Sequence, residues 1–276
     1  MNTIEAIVLG AIQGLTEFLP VSSSGHLVLF QNLFGLKEPE LLFDICLHVG
    51  TLAAVLIVFY REILDILTAL VRIPGRLRSA GGIANLLAGD RSIRMALLIV
   101  VGSIPTAVIG LLFKEITDRL FGSLTIVGCM LLVTGTLLWL TRAIRSQGRP
   151  VEQTTLKDAI VIGIVQGLAI LPGISRSGST IATALFLGVD RTVAGRYSFL
   201  LSIPAIVGAL ALSLDTPELH TTIPLETILA GSVISAAIGW LALLILLRVV
   251  DRGQLHRFAP YCWIVGAITL VIAWMG

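Results

Sequence analysis

Charge is what this chain has least of: 13% of its 276 residues are Asp, Glu, Lys or Arg, against 56% hydrophobic. With a mean hydropathy of +0.97, that balance excludes a globular protein surrounded by water. No hydrophilic stretch is long enough to form a separate soluble domain. Cysteine is nearly missing as well. Cys46, Cys129 and Cys262 are far apart, odd in number and set in apolar sequence, which argues against a disulfide framework or a metal cluster and leaves them as packing residues. The N-terminal segment MNTIEAIVLGAIQGLTEF lacks a basic n-region and a small-residue cleavage site, and it carries Glu5 and Glu17. It is therefore expected to belong to the folded protein and not to a removable signal peptide. The net charge of +2 says little as a sum, and no nucleic acid partner is expected.

Apolar runs are abundant. Stretches near 43–70, 93–117, 121–143, 192–214, 223–248 and 258–275 each reach the length a helix needs to cross a bilayer, and they predict six full spans. Two more segments, 2–35 and 156–189, are apolar but broken at their centres by Pro, Gly and Ser. Unpaired backbone groups in hydrocarbon cost several kcal/mol each, so such a break must face a protein-enclosed cavity. Each segment is read as two half-helices that enter and turn back. The expectation is an all-α polytopic membrane protein, a single membrane domain over 1–276.

The distribution of charge supports this reading. With the 71–94 loop on the inner face, fifteen of the nineteen Lys and Arg residues fall inside, and Lys37, Lys114 and Arg119 fall outside. The remaining cation, Arg176, lies in the middle of the second broken segment. That asymmetry follows the positive-inside rule and predicts both termini on the outer face. Counting the broken segments as full spans destroys it.

The two broken segments are copies. GAIQGLTEFLPVSSSGH at 10–26 returns without a gap, 153 positions on, as GIVQGLAILPGISRSGS, so that Gln13 falls on Gln166, Ser22 on Ser175 and Gly25 on Gly178. GSIPTAVIGL at 102–111 likewise resembles GSVISAAIGW at 231–240. Each half, about 1–146 and about 154–276, thus reads as a re-entrant hairpin followed by three spans. An odd number of spans per repeat forces the halves into opposite topology. The hairpins should then meet near mid-depth, bringing Ser22, Ser23, Ser24 and His26 close to Ser175, Arg176, Ser177 and Thr180. Small residues such as Gly102, Gly110, Gly231 and Gly239 read as helix-packing positions.

The chemistry of that meeting point starts with Arg176. A guanidinium at membrane depth costs about 2.5–3.5 kcal/mol on insertion scales and persists only with an anionic partner or a function. Its fork suits bidentate pairing with phosphate oxygens, and PGISRSGST surrounds it with glycine, hydroxyls and the start of a helix. The alternative is that it pairs with Glu17 and holds the hairpins together, and the two readings can coexist. Glu17 and Gln13 lie one turn apart on one helical face, where a carboxylate and an amide oxygen can coordinate Mg²⁺ or Ca²⁺. Glu17 alternatively serves as a general base, or merely neutralises Arg176. Ser23 and His26, three apart across a glycine, offer a nucleophile and a base, although a serine cluster after proline is also a common helix cap. Asp44 and His48 share a face and either line the mouth of the site or hydrogen-bond between helices.

QGLTEFLPVSSSGH together with LPGISRSGST resembles the two signature motifs of the undecaprenyl-diphosphate phosphatase family, and the similarity spans nearly the whole chain. The resemblance implies an integral enzyme of the bacterial cell membrane that hydrolyses undecaprenyl diphosphate to undecaprenyl phosphate and phosphate. That reaction recycles the lipid carrier for peptidoglycan and other wall polymers, and overproduction in the family gives bacitracin resistance. By position, the family's acidic pair becomes Gln13 and Glu17, its serine Ser23 and its histidine His26. The second motif supplies Ser175, Arg176, Ser177 and Thr180 beside Ser22 and Ser24 as substrate contacts. Family members carry Glu or Gln at position 13, so a divalent cation here rests on Glu17 and the substrate's own phosphates. The resemblance also implies a site open to the outer face. The rival from another class is a membrane carrier or flippase for a polyprenyl phosphate or another anion, because broken helices meeting between inverted repeats are also carrier architecture.

Overall fold

The computed structural model describes residues 1–34, 41–73, 89–113, 120–144, 148–213 and 223–275. Lys37, Arg76, Arg78, Lys114, Arg119 and Arg145, which enter the charge argument, lie outside the described residues. Eleven α-helices follow one another among the described residues: α1 Thr3–Phe18, α2 Ser23–Leu33, α3 Leu41–Val58, α4 Tyr60–Val71, α5 Arg91–Phe113, α6 Leu124–Leu140, α7 Leu156–Leu168, α8 Arg176–Phe186, α9 Arg191–Ser213, α10 Leu225–Asp251 and α11 Ala259–Met275.

Length sorts these helices into two kinds. Five pieces, Arg91–Phe113, Leu124–Ala143, Arg191–Leu212, Leu225–Asp251 and Leu255–Met275, are long and apolar enough to cross a membrane. The broken segments are different. At 1.5 Å per residue, the 16 residues of α1 rise about 24 Å. The 13 residues of α7 and the 11 each of α2 and α8 rise less, against a hydrocarbon core of about 30 Å. None of the four crosses alone. Large apolar side chains stand exposed around the helices, among them Ile57, Val100, Leu112 and Ile264 at 60–73% of their surface, which suits a molecule sheathed in lipid.

The expected uninterrupted span at 43–70 is a correction. It is two helices, α3 and α4, bent by 74°. Phe59 leaves the helical region at φ −101° and ψ 18°, and α4 then carries Arg61, Glu62 and Asp65 within six residues. Average hydropathy hides that cluster, but three charges on one turn and a half cannot continue a buried crossing. Five single spans, or six with the bent pair counted as one, replace six uninterrupted ones.

Packing is exchanged between the halves. α1, from the first, lies against α10, from the second, while α7, from the second, lies against α5, from the first. Both contacts are made by glycine against glycine. A Cβ on Gly10 would stand 2.3 Å from the carbonyl oxygen of Gly231, and one on Gly163 would stand 2.1 Å from that of Gly102. In lipid, where burial drives helix association weakly, such backbone approach is what holds helices together. Gly163→Ala is accordingly expected to destabilise the protein by about 1–3 kcal/mol, the usual range for overpacking. Thermal unfolding in detergent checks this, and an unchanged midpoint would mean that α5 and α7 are not in contact.

The same offset of 153 extends to the helix starts. Asn2 caps α1 by accepting from the Glu5 amide, while Glu5 accepts from the Asn2 amide. Thr155 and Asp158 form the same reciprocal box at the start of α7. Such boxes satisfy two orphan amides at once, which fixes where each of these helices begins.

Candidate active site

The breaks in the two motif segments face each other. Between α1 and α2 the chain turns through Leu19–Ser22, and Ser22 adopts φ +69°. A left-handed conformation costs a residue with a Cβ on the order of 1–2 kcal/mol, so the surroundings must hold it there. They do so from both sides. The Ser22 hydroxyl accepts from the amide of Gly173 at 3.1 Å, across 151 residues, and from the amide of Gly25 at 3.3 Å. Nδ1 of His26 lies 2.8 Å from the Ser22 carbonyl oxygen. From the second turn, Ser177 donates to the Phe18 carbonyl oxygen at 2.8 Å. Gly173, at φ +99° and with no room for a Cβ beside the Val127 carbonyl, lets this turn approach α6. Thr134 on α6 closes it, donating to the Gly173 carbonyl oxygen at 2.9 Å and accepting from the Ser175 amide at 3.1 Å.

Glu17 stands at the centre. One carboxylate oxygen, Oε1, accepts from Nη2 of Arg176 at 2.7 Å. The other, Oε2, accepts from the Ser23 hydroxyl at 2.6 Å and from the Gln13 amide nitrogen at 3.1 Å. Nε2 of His48 lies 3.8 Å from that same oxygen. The Glu17 side chain is 6% exposed and that of Arg176 16%, so the pair sits in a low-dielectric setting and each ion depends on the other. Nη1 of Arg176 is buried and has no hydrogen-bond partner among the described residues. A buried cationic donor left over in this way calls for an anion.

The structure brings together Gln13, Glu17, Ser23 and Arg176, with Ser24 and Ser23 among the more accessible members. Two expectations change. The hydroxyl–imidazole pair of Ser23 and His26 does not form: the serine turns to Glu17, and the second ring nitrogen of His26 lies 2.7 Å from the hydroxyl of Tyr261. Ser177 and Thr180, expected to contact substrate, have no exposed surface. Their hydroxyls are engaged by the fold, Ser177 with the Phe18 carbonyl and Thr180 with the Arg176 carbonyl at 2.7 Å and the Ser198 hydroxyl at 2.6 Å. Ser175 caps α8 by accepting from the Gly178 amide. These three hold the turn that presents Arg176.

At the expected Glu17–Gln13 metal site both carboxylate oxygens accept protein donors, and Gln13 turns its NH₂ group to Glu17 while its Oε1 is buried with no hydrogen-bond partner among the described residues. Among the described residues no group of three acidic, histidine or cysteine side chains could hold a metal.

His48 was ambiguous in the sequence. Its Nδ1 lies 2.8 Å from the Asp44 carbonyl oxygen, and its other nitrogen faces Glu17, so it borders the site. The Asp44 carboxylate accepts from Gln31. Tyr261 gave no sequence signal, being one aromatic residue in an apolar helix.

Fold and site together define a multi-pass helical membrane protein with a buried hydroxyl–carboxylate–guanidinium centre. The family described as bacitracin resistance protein BacA matches residues 6–268, and the chain belongs to that family. It is 55% identical over 272 residues to the undecaprenyl-diphosphatase of Desulfatibacillum aliphaticivorans, covering 98% of this chain and 99% of that one. It is 54% identical over 278 residues to that of Desulfosudis oleivorans (100% and 99%) and 40% over 275 residues to that of Methanosphaera stadtmanae (99% and 99%).

Proposed function

We propose that this protein hydrolyses undecaprenyl diphosphate to undecaprenyl phosphate and inorganic phosphate, with Ser23 as nucleophile. The observation that carries the reading is the 2.6 Å hydrogen bond from the Ser23 hydroxyl to a carboxylate whose other oxygen is fixed by Arg176. As Oγ of Ser23 bonds to the terminal phosphorus, its proton passes to Glu17 and the bond to the bridging oxygen breaks, releasing undecaprenyl phosphate. Glu17 gives that proton up to the departing undecaprenyl phosphate; ionised again, it takes a proton from the water that attacks the phosphoserine and returns it to the Ser23 oxygen as that bond breaks. Nη1 of Arg176 neutralises charge on the phosphate oxygens in both steps. His26 is assigned a positioning role, because both its nitrogens are occupied away from Ser23.

On this reading the two broken segments are re-entrant hairpins of an inverted duplication, about 1–146 and 154–276. Both termini and the opening of the site lie on the outer face of the bacterial cell membrane. The exchanged glycine contacts, the repeated capping boxes and the one-sided loop charge support this arrangement. A polyprenyl tail would lie in the bilayer while the head group reaches the site laterally. A divalent cation, Mg²⁺ or Ca²⁺, enters as a counter-ion of the diphosphate and not as a resident of Glu17 and Gln13. Gln13→Glu, by setting a second carboxylate beside the first, is expected to raise affinity for Mg²⁺ or Ca²⁺ alone about tenfold or more, because the pair then needs a cation between them. Calorimetric titration of metal into wild type and variant checks this, and equal affinities would contradict it.

The test of the function is phosphate release from a polyprenyl diphosphate in detergent, where no sealed compartment exists. Turnover supports the enzyme. Binding without release would support a carrier.

A further inference from the structure

Tyr261 lies on α11, far in sequence from either hairpin, and yet touches the first of them. Its hydroxyl is 2.7 Å from Nε2 of His26. Its ring stacks on the imidazole with centroids 5.7 Å apart and planes 8° from parallel. The next residue, Cys262, donates its thiol to the Pro20 carbonyl oxygen at 3.4 Å, so α11 is seated on the tip of the hairpin.

The proton positions follow from the partners. Nδ1 of His26 faces a backbone carbonyl oxygen, which only accepts, so Nδ1 carries a hydrogen. His26 is 4% exposed and has no carboxylate among its hydrogen-bond partners, which favours the uncharged ring. In that ring Nε2 has a lone pair, and the phenol donates to it. Without the phenol the ring can invert its tautomer or rotate, and Nδ1–H no longer holds the Ser22 carbonyl. Ser22 is the strained residue whose turn aims the neighbouring Ser23 at Glu17.

We propose that Tyr261 is a positioning residue of this site: its hydroxyl, through His26, clamps the Ser22 carbonyl and keeps the Ser23 hydroxyl on Glu17. The inference rests on the hydrolytic reading given above for its effect on rate, but not for its effect on His26. Tyr261→Phe keeps the stacked ring and removes the one hydrogen bond. The full chain in detergent micelles, labelled with ¹⁵N-histidine, contains four histidines, and the signals of His26 are identified by their loss in His26→Gln.

Wild type is expected to show a neutral His26 with hydrogen on Nδ1 and an accepting Nε2. Tyr261→Phe is expected to show a mixture of tautomers. It should also lower kcat on the order of tenfold, in line with small misplacements of reacting groups, while KM stays within about twofold. A wild-type His26 protonated on Nε2 alone, or doubly protonated, overturns the proposal without reference to any variant. So does a Tyr261→Phe protein with an unchanged tautomer or an unchanged kcat. Absence of phosphate release from the wild type would defeat the hydrolytic reading instead, and the nitrogen spectrum, recorded without substrate, judges the clamp by itself.

Discussion

Ser23→Ala is expected to lower phosphate release by about 10³-fold or more while leaving the protein folded. A nucleophile has no substitute within reach, and losing one commonly removes nearly all catalysis beyond that supplied by the remaining charges. The side chain is only partly buried, and its loss removes one hydrogen bond to a charged acceptor, worth about 1.5–3 kcal/mol. His26→Ala is expected to be milder, on the order of 10²-fold, because it loosens the turn and removes no reacting atom. Steady-state rates with polyprenyl diphosphate, beside thermal unfolding of each variant, give the comparison. A Ser23→Ala protein with near-normal turnover and an inactive His26→Ala protein would reverse the two roles.

The second large effect is at Arg176, where stability and catalysis separate. Arg176→Lys retains charge but loses the fork that holds Glu17 with one nitrogen and leaves Nη1 for the substrate. It is expected to reduce kcat/KM by about 10²–10³-fold, the range for removing a donor to developing charge. Arg176→Ala strands a buried carboxylate and should destabilise by about 3–5 kcal/mol. Adding Glu17→Gln to Arg176→Ala removes the stranded charge and should restore much of the stability but none of the activity. If the double variant is as unstable as Arg176→Ala, the pair is not coupled in the way the geometry requires.

Much of this was legible in the residues because lipid makes polar sequence conspicuous. Gly, Pro and Ser in an otherwise apolar stretch must be enclosed, so the two breaks could be found and paired by their offset, and Arg176, the one cation within either motif, marked the place. Glu17 followed as the only acid in the first motif. What the sequence left hidden depends on the course of the backbone. The bend at Phe59 is averaged away when charges and apolar residues share a window. Ser177 and Thr180 have the composition of phosphate ligands, and only the packing of α1 and α9 against them shows that their hydroxyls serve the fold. The spacing of Ser23 and His26 permits a contact that the left-handed Ser22 turns away, sending one side chain to Glu17 and the other to Tyr261. Tyr261 itself carries no local pattern, since its partner is 235 residues away.

The most direct test of a serine held by Glu17 and Arg176 as the attacking group is the stereochemical course at the terminal phosphorus. It can be followed with a polyprenyl diphosphate whose terminal group is a thiophosphate made chiral with oxygen isotopes. Two successive displacements, to Ser23 and then to water, predict net retention in the released thiophosphate. Inversion would mean a single attack by water and would contradict the account.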